Sequence, residues 1–192
     1  MSTMTLARSE LILGGQKSGK SRRGELLAQQ WLAQSPDHRA VMVATARPWD
    51  EEMRERIRRH QKDRAERVPG MVTVEEPVQL AQVLIQHSAP DTLVVVDCLT
   101  LWLTNLLMPA PGLEISDAEV ARERASLVDA IAPAPGPLVL IGNEIGLGVI
   151  PLGRETRAFV DALGKLNQDV AVACRRVTLM AAGLSLTLKD FS

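Results

Sequence analysis

Eight consecutive residues constrain this chain more than any other feature. Gly14, Gly15, Gln16, Lys17, Ser18, Gly19, Lys20 and Ser21 follow the apolar run Leu11, Ile12, Leu13 and precede a helical stretch over 20–34. They fit G-x-x-x-x-G-K-[ST] in full, and a strand before with a helix after is the context in which that pattern cradles phosphate. Small residues let backbone N–H groups turn inward onto phosphate oxygens. The helix N-terminus adds the positive end of its dipole. In such a loop Lys20 neutralises β/γ-phosphate charge and the Ser21 hydroxyl holds Mg²⁺. Lys17 is a further cation, and the sequence leaves open whether it faces phosphate or solvent.

The rest of the chain alternates as a phosphate-binding loop requires. Apolar runs at 40–45, 72–74, 93–97 and 138–142 predict strands, and 177–182 with 185–189 predict two more around Gly183. The run Leu93, Val94, Val95, Val96 has no polar alternation, which marks a strand buried on both faces. Between the strands, 50–67, 77–87, 99–107, 116–131 and 154–173 predict helices. Ser116 with Glu119 three residues on forms a capping box. The expectation is an α/β domain with a mostly parallel sheet flanked by helices, and ligands at the carboxyl ends of the strands. At 192 residues, a single nucleotide-binding catalytic domain over 1–192 is expected.

Composition narrows the function classes. Lys+Arg is 22 against 23 for Asp+Glu, so bulk charge does not make a nucleic-acid or anionic-membrane binder. Aromatics are 3% with no Tyr, too few for a platform that stacks single-stranded bases. No apolar run approaches the ~18 residues of a spanning helix, so no membrane insertion is expected. Two cysteines, Cys98 and Cys174, make no disulfide framework, and with no signal peptide expected the location is cytoplasmic. Arg175 and Arg176 form a basic pair that the sequence alone does not explain.

Two further features belong to the chemistry. Asp97 ends the 93–97 strand at the sheet's carboxyl edge, the place of the second metal-side carboxylate in a phosphate-loop enzyme. The alternative is a cap for the helix that follows. In 50–67, Met53, Ile57 and His60 share one helical face, and an apolar face packs inward, so His60 is expected inward as well. An inward His is either a satisfied core residue or a nucleophile aimed at a nucleotide. The cations Arg58, Arg59, Lys62 and Arg64 fit the second role: positive neighbours keep an imidazole neutral and hold a departing pyrophosphate.

Taken together these residues resemble the bifunctional adenosylcobinamide kinase / adenosylcobinamide-phosphate guanylyltransferase family of cobalamin biosynthesis. The resemblance runs from about Glu10 to Lys189. It is carried by the phosphate loop, by Ala44, Thr45, Ala46, and by Asp50, Glu51, Glu52, Met53 leading to His60. It continues in Thr73 to Pro77, in Val96 to Thr100 with Thr104 and Asn105, and in Asn143 to Pro151 with Arg157, Asp161, Asn167 and Gln168.

The resemblance implies two reactions. ATP or GTP phosphorylates adenosylcobinamide. GMP then passes from GTP, through a guanylyl-histidine, to adenosylcobinamide phosphate, giving adenosylcobinamide-GDP. By position it implies His60 as the guanylylated residue and Gly14 to Ser21 as the triphosphate site. It places Ala44, Thr45 and Ala46 along the nucleotide, Gln61, Lys62, Asp63 and Arg64 around the guanylyl group, and Glu75 and Asp97 as acidic site positions, with Glu76 the one-residue alternative to Glu75. It further implies a RecA-like P-loop NTPase fold and a homotrimer. The chain departs from the family in carrying Arg59 where some relatives have a second histidine, and Gln61, Lys62, Asp63, Arg64 where a Lys-Asp-Gly-Arg turn is common. A plain P-loop small-molecule kinase without the histidine step is the alternative function. The stretch Asn143 to Gly148, with Arg154 and Arg157 beyond it, is either a ligand-contacting loop or a structural turn.

Overall fold

A computed structural model describes residues 5–191 of the chain. Thirteen elements follow one another: β1 (Ser9–Gly14), α1 (Lys20–Gln34), β2 (Arg39–Ala44), α2 (Glu51–Arg67), β3 (Met71–Glu75), α3 (Leu80–His87), β4 (Thr92–Asp97), α4 (Leu99–Leu107), α5 (Asp117–Ile131), β5 (Leu138–Ile141), α6 (Arg154–Ala173), β6 (Arg176–Ala181) and β7 (Leu184–Asp190). One seven-stranded sheet runs in the order β3-β2-β4-β5-β1-β6-β7. All neighbours are parallel except β7, which turns back antiparallel on β6 around Gly183.

The apolar strands are explained by their two faces. Leu11, Val41, Val43, Val94, Val96 and Leu140 pack with α3, α4, α5 and α6. The residues between them, Ile12, Met42, Leu93, Val95, Val139 and Ile141, pack with α1. A period of two along each strand thus feeds two cores, and no strand face in the centre is left for polar residues. No helix among the described residues is long and apolar enough to cross a membrane.

Element ends follow local chemistry. Ser116 and Glu119 form the expected reciprocal cap of α5. α3 begins at Leu80, three residues later than the pattern predicts, because one Glu76 carboxylate oxygen accepts from the Val78 and Gln79 N–H groups (both 2.8 Å) and holds 77–79 as a turn. The Arg176 side chain is buried and ion-pairs Asp190 (3.1 Å), with the fully buried Glu10 at 3.9 Å. Arg23 pairs the same Glu10 at 2.8 Å, and Thr178 donates to it. The basic pair at 175–176 is therefore half structural: Arg176 ties β1, β6 and β7 together.

α2 behaves differently from the other helices. Its C-terminal end lies against the sheet: Arg64 is buried and donates to Thr73 Oγ1 (3.1 Å), and Val68 is buried. Gln61 is level with Glu75 at the carboxyl end of β3. The ten residues before Gln61, about 15 Å of helix axis, therefore stand beyond the sheet edge.

Candidate active site

The phosphate loop has the geometry its sequence requires. Gly14 has φ +152°, and a Cβ there would lie 2.4 Å from the Met180 carbonyl oxygen, so only glycine fits. Gly19, φ +104°, turns the chain into α1. No side chain caps α1, so its first-turn N–H groups face the loop. Gly183 N–H donates to the Ser18 carbonyl, so the β6–β7 turn braces the loop from behind. The Ser18 hydroxyl is buried and has no partner among the described residues.

Lys20 is nearly buried and donates to the Gly15 carbonyl (2.6 Å). Burial holds its ammonium below the ordinary lysine range, while the Asp97 carboxylate pulls the other way. Asp97 thus lies within electrostatic reach of Lys20, as the strand order requires: β5 is inserted between β1 and β4, and all three strands end at one edge. The Cys98 thiol is buried and pushed up to about 11, so it stays protonated and is no nucleophile. Lys17 has φ +57° and is exposed. Ser21 opens α1 and is part-exposed.

Across the edge, Ala44 is in register with both Glu75 and Asp97, so the three come together at the ends of β3, β2 and β4. Thr45 is fully buried, and its hydroxyl donates to the Cys98 carbonyl (2.7 Å) and accepts from the Cys98 N–H (2.9 Å). Its side chain shapes the edge and is closed to a ligand. Ala46 is part-exposed. The adjacent carboxylates differ in geometry: Glu76 anchors a turn, and Glu75 accepts from Gln61 Nε2 (2.9 Å) and so faces α2.

His60 is exposed, against the expectation that it faces inward. Met53 and Ile57 are only half-buried, because that part of α2 stands beyond the sheet with little beneath it. The surrounding residues divide. Gln61 reaches Glu75, Asp63 pairs with Arg67 (3.5 Å), and Arg64 is turned down onto Thr73. Arg58 is engaged by Glu51 (2.8 Å) and Glu55 (3.2 Å) on the helix surface. Arg59 and Lys62 are exposed and make no ion pair among the described residues. Residues 61–64 stay helical, so the turn common in relatives is absent here. β2, from which α2 departs, lies three strands from β1, about 14 Å at ~4.8 Å per strand. The phosphate loop follows β1, and His60 lies on the helix that follows β2, three strands away in the sheet order.

Three amide and hydroxyl groups that carried no assigned role hold this edge together. Asn105 Nδ2 donates to the carbonyls of Thr45 (2.8 Å) and Pro77 (3.0 Å). Thr100 Oγ1 accepts from Asn143 N–H (2.8 Å), and Asn167 Nδ2 donates to the Asn143 carbonyl (3.1 Å). The signal was present as polar residues on otherwise buried helix faces. Arg157 donates to the Pro151 and Leu152 carbonyls, so it fixes the loop before α6, while Arg154 is exposed at the helix start.

Comparison with known proteins matches residues 10–188 to the profile described as cobinamide kinase / cobinamide phosphate guanyltransferase. The chain belongs to that family. It is 43% identical over 181 residues to the bifunctional adenosylcobalamin biosynthesis protein CobP of Pseudomonas aeruginosa, covering 94% of this chain and 96% of the relative. It is 31% identical to CobU of Escherichia coli, of the same description, covering 93% and 98%. Among solved structures, the flagellar accessory protein FlaH of Methanocaldococcus jannaschii superposes with a TM-score of 0.55 at 11% identity, covering 98% of this chain and 81% of that one. That likeness speaks to fold alone: a mostly parallel sheet flanked by helices, as expected. As a member of this family the chain is an enzyme of cobalamin biosynthesis that joins cobinamide kinase and cobinamide phosphate guanylyltransferase activities.

Proposed function

We propose that the chain first phosphorylates the hydroxyl of adenosylcobinamide with ATP or GTP at the Gly14–Ser21 loop, and then guanylylates the product through His60. The observation that carries the reading is the buried Lys20 within reach of Asp97 at the carboxyl edge of the strands, with an exposed histidine next to Gln61, which donates to Glu75 on the same edge.

In the kinase step the substrate hydroxyl oxygen attacks the γ-phosphorus and gives up its proton to solvent, the bond from that phosphorus to the bridging oxygen breaks, and the nucleoside diphosphate leaves. Lys20 and the loop N–H groups carry the charge that develops. Ser21 and Asp97 offer one hydroxyl and one carboxylate oxygen, a hard donor pair suited to Mg²⁺, which keeps its remaining positions for phosphate and water. Bound there, Mg²⁺ would neutralise phosphate charge. In the second reaction a His60 ring nitrogen attacks the α-phosphorus of GTP, forming a P–N bond as pyrophosphate leaves. A phosphate oxygen of adenosylcobinamide phosphate then attacks that phosphorus, the P–N bond breaks, and His60 is restored. Gln61, Lys62 and Asp63 lie beside the transferred group, Glu75 orients Gln61, and Arg64 supports α2 from below.

The same proposal covers assembly and location. The whole chain works as one catalytic domain, and the functional unit is a homotrimer. Leu147, Val149, Ile150 and Leu152 are exposed in the loop before α6, as are Leu184 and Leu186 on the open-edged β7, and apolar surface of this kind favours burial between copies. Both cysteines are free and buried, in keeping with a cytoplasmic protein.

The test is incubation with Mg²⁺ and GTP labelled on the α-phosphate, followed by a denaturing gel, with His60→Ala alongside. Acid-labile, alkali-stable label on the wild type and none on the variant is the expected result. No label, with nucleotide still bound, would leave a P-loop kinase without the histidine step.

A further inference from the structure

The loop after β5 begins at the phosphate site and has no task in the reactions above. Its first residues are held on both sides. Gly142 N–H donates to the Ile12 carbonyl (3.0 Å) and Glu144 N–H to the Gly14 carbonyl (3.1 Å), both on β1. Asn143 N–H donates to Thr100 Oγ1 (2.8 Å), and the Asn143 carbonyl accepts from Asn167 Nδ2 (3.1 Å). Residues 145–150 beyond are exposed. Glu144 is thus the last residue tied to the sheet edge, and its tie is the first residue of the phosphate loop. Two consecutive carbonyls of that loop are used: Gly14 holds the Glu144 backbone, and Gly15 holds the Lys20 ammonium (2.6 Å).

The Glu144 carboxylate differs from the others at this edge. Glu75 takes Gln61, Glu76 takes the turn at 77–79, and Asp97 draws Lys20. Glu144 is half-buried and pairs with no cation among the described residues. Its Oε1 accepts from the Gly146 N–H (2.7 Å), which fixes the carboxylate, while Oε2 accepts nothing among the described residues. β5 lies between β1 and β4, so Glu144 stands between the phosphate loop and Asp97. A negative charge beside a triphosphate, with no cation of its own, opposes nucleotide binding. The turn does not call for that charge, since an amide oxygen would accept from Gly146 as well. The charge has a use where a hydroxyl meets the γ-phosphate, because the transfer leaves a proton to be removed.

We propose that Glu144 is a catalytic residue of the kinase step, its Oε2 accepting the proton of the cobinamide hydroxyl. The O–H bond breaks toward Glu144 as the oxygen bonds to the γ-phosphorus. The bond from that phosphorus to the bridging oxygen breaks, and its electron pair leaves on the nucleoside diphosphate. Glu144 then passes the proton to solvent, which the exposed residues after it admit. The assignment rests on the reading that the Gly14–Ser21 loop holds the nucleotide of the kinase step.

The experiment uses full-length wild type, Glu144→Gln, Glu144→Ala and Lys20→Ala. Kinase kcat and KM are measured with adenosylcobinamide at saturating Mg²⁺ and ATP, beside ATP dissociation constants and melting temperatures. Glu144→Gln keeps the acceptor for Gly146 and loses the base. Both Glu144 variants are expected to lose more than ten-fold in kcat, toward the 10²–10⁴-fold of a general base, while Glu144→Gln melts as wild type and binds ATP within three-fold of it. Glu144→Gln within ten-fold of the wild-type kcat overturns the assignment, whether KM rises or Glu144→Ala alone is slow, the second being the mark of a turn residue. A loss in Glu144→Gln that comes with weaker ATP binding or a lower melting temperature overturns it as well. Full kinase turnover in Lys20→Ala overturns the reading of the loop beneath it, and the assignment falls with it.

Discussion

Lys20 is a cation shielded from water, hydrogen-bonded to its own loop and drawn by Asp97. Such a group is preorganised for charge that appears only during transfer. Lys20→Ala is expected to lower the kinase turnover by about 10²–10³-fold, read from ADP release with cobinamide as acceptor. Gly14→Ala meets a backbone carbonyl at 2.4 Å, which cannot move aside as a side chain would. It should lower stability by roughly 1–3 kcal/mol and weaken nucleotide binding, measured by thermal melting with and without ATP. Local rules made these residues legible in the sequence, because a phosphate loop is contiguous. His60 was legible as a residue and not as an orientation. Periodicity tells which residues share a helix face, and it is silent on whether anything lies beneath that face. Glu75 and Glu76 show the same limit: two adjacent carboxylates are equivalent in sequence, and only the turn at 77–79 tells them apart.

Among elements, α5 shows how a cap couples to pH. Glu119 accepts from the Ser116 N–H (2.8 Å) and hydroxyl (2.7 Å). The backbone hydrogen bond first, then the hydroxyl, hold its carboxyl below the ordinary value near 4.5. A lowered carboxyl favours the folded helix once the unfolded group is ionised, above about pH 4.5, and that contribution is lost as pH falls through the folded value. Protection of the α5 N-terminal amides, measured as exchange relative to the intrinsic rate at each pH, should therefore fall on acidification below that range, and less so in Glu119→Gln. Ser116→Ala should cost about 1 kcal/mol in chemical denaturation. Element type was readable throughout, since buried parallel strands and amphipathic helices have distinct patterns. The places of Asn105, Thr100 and Asn167 were not, because they depend on which loops the sheet order brings beside each helix.

The whole molecule is tied at the end of the sheet away from the site. Glu10 is fully buried and depends on Arg23, Thr178 and Arg176. Arg176→Ala removes a buried cation and should destabilise the fold by about 3–5 kcal/mol, measured by urea unfolding. On the proposed assembly through the exposed apolar loop, Val149→Asp with Leu152→Asp should convert the trimer to monomers in sedimentation. The strand order 3-2-4-5-1-6-7 also puts the phosphate loop and the helix of His60 after strands three places apart. If His60 carries the guanylyl group as proposed, a chain laid out in this way works as two workshops joined by a free intermediate. Two inactive proteins, one lacking Lys20 and one lacking His60, should then complete the conversion when mixed, the first finishing what the second begins.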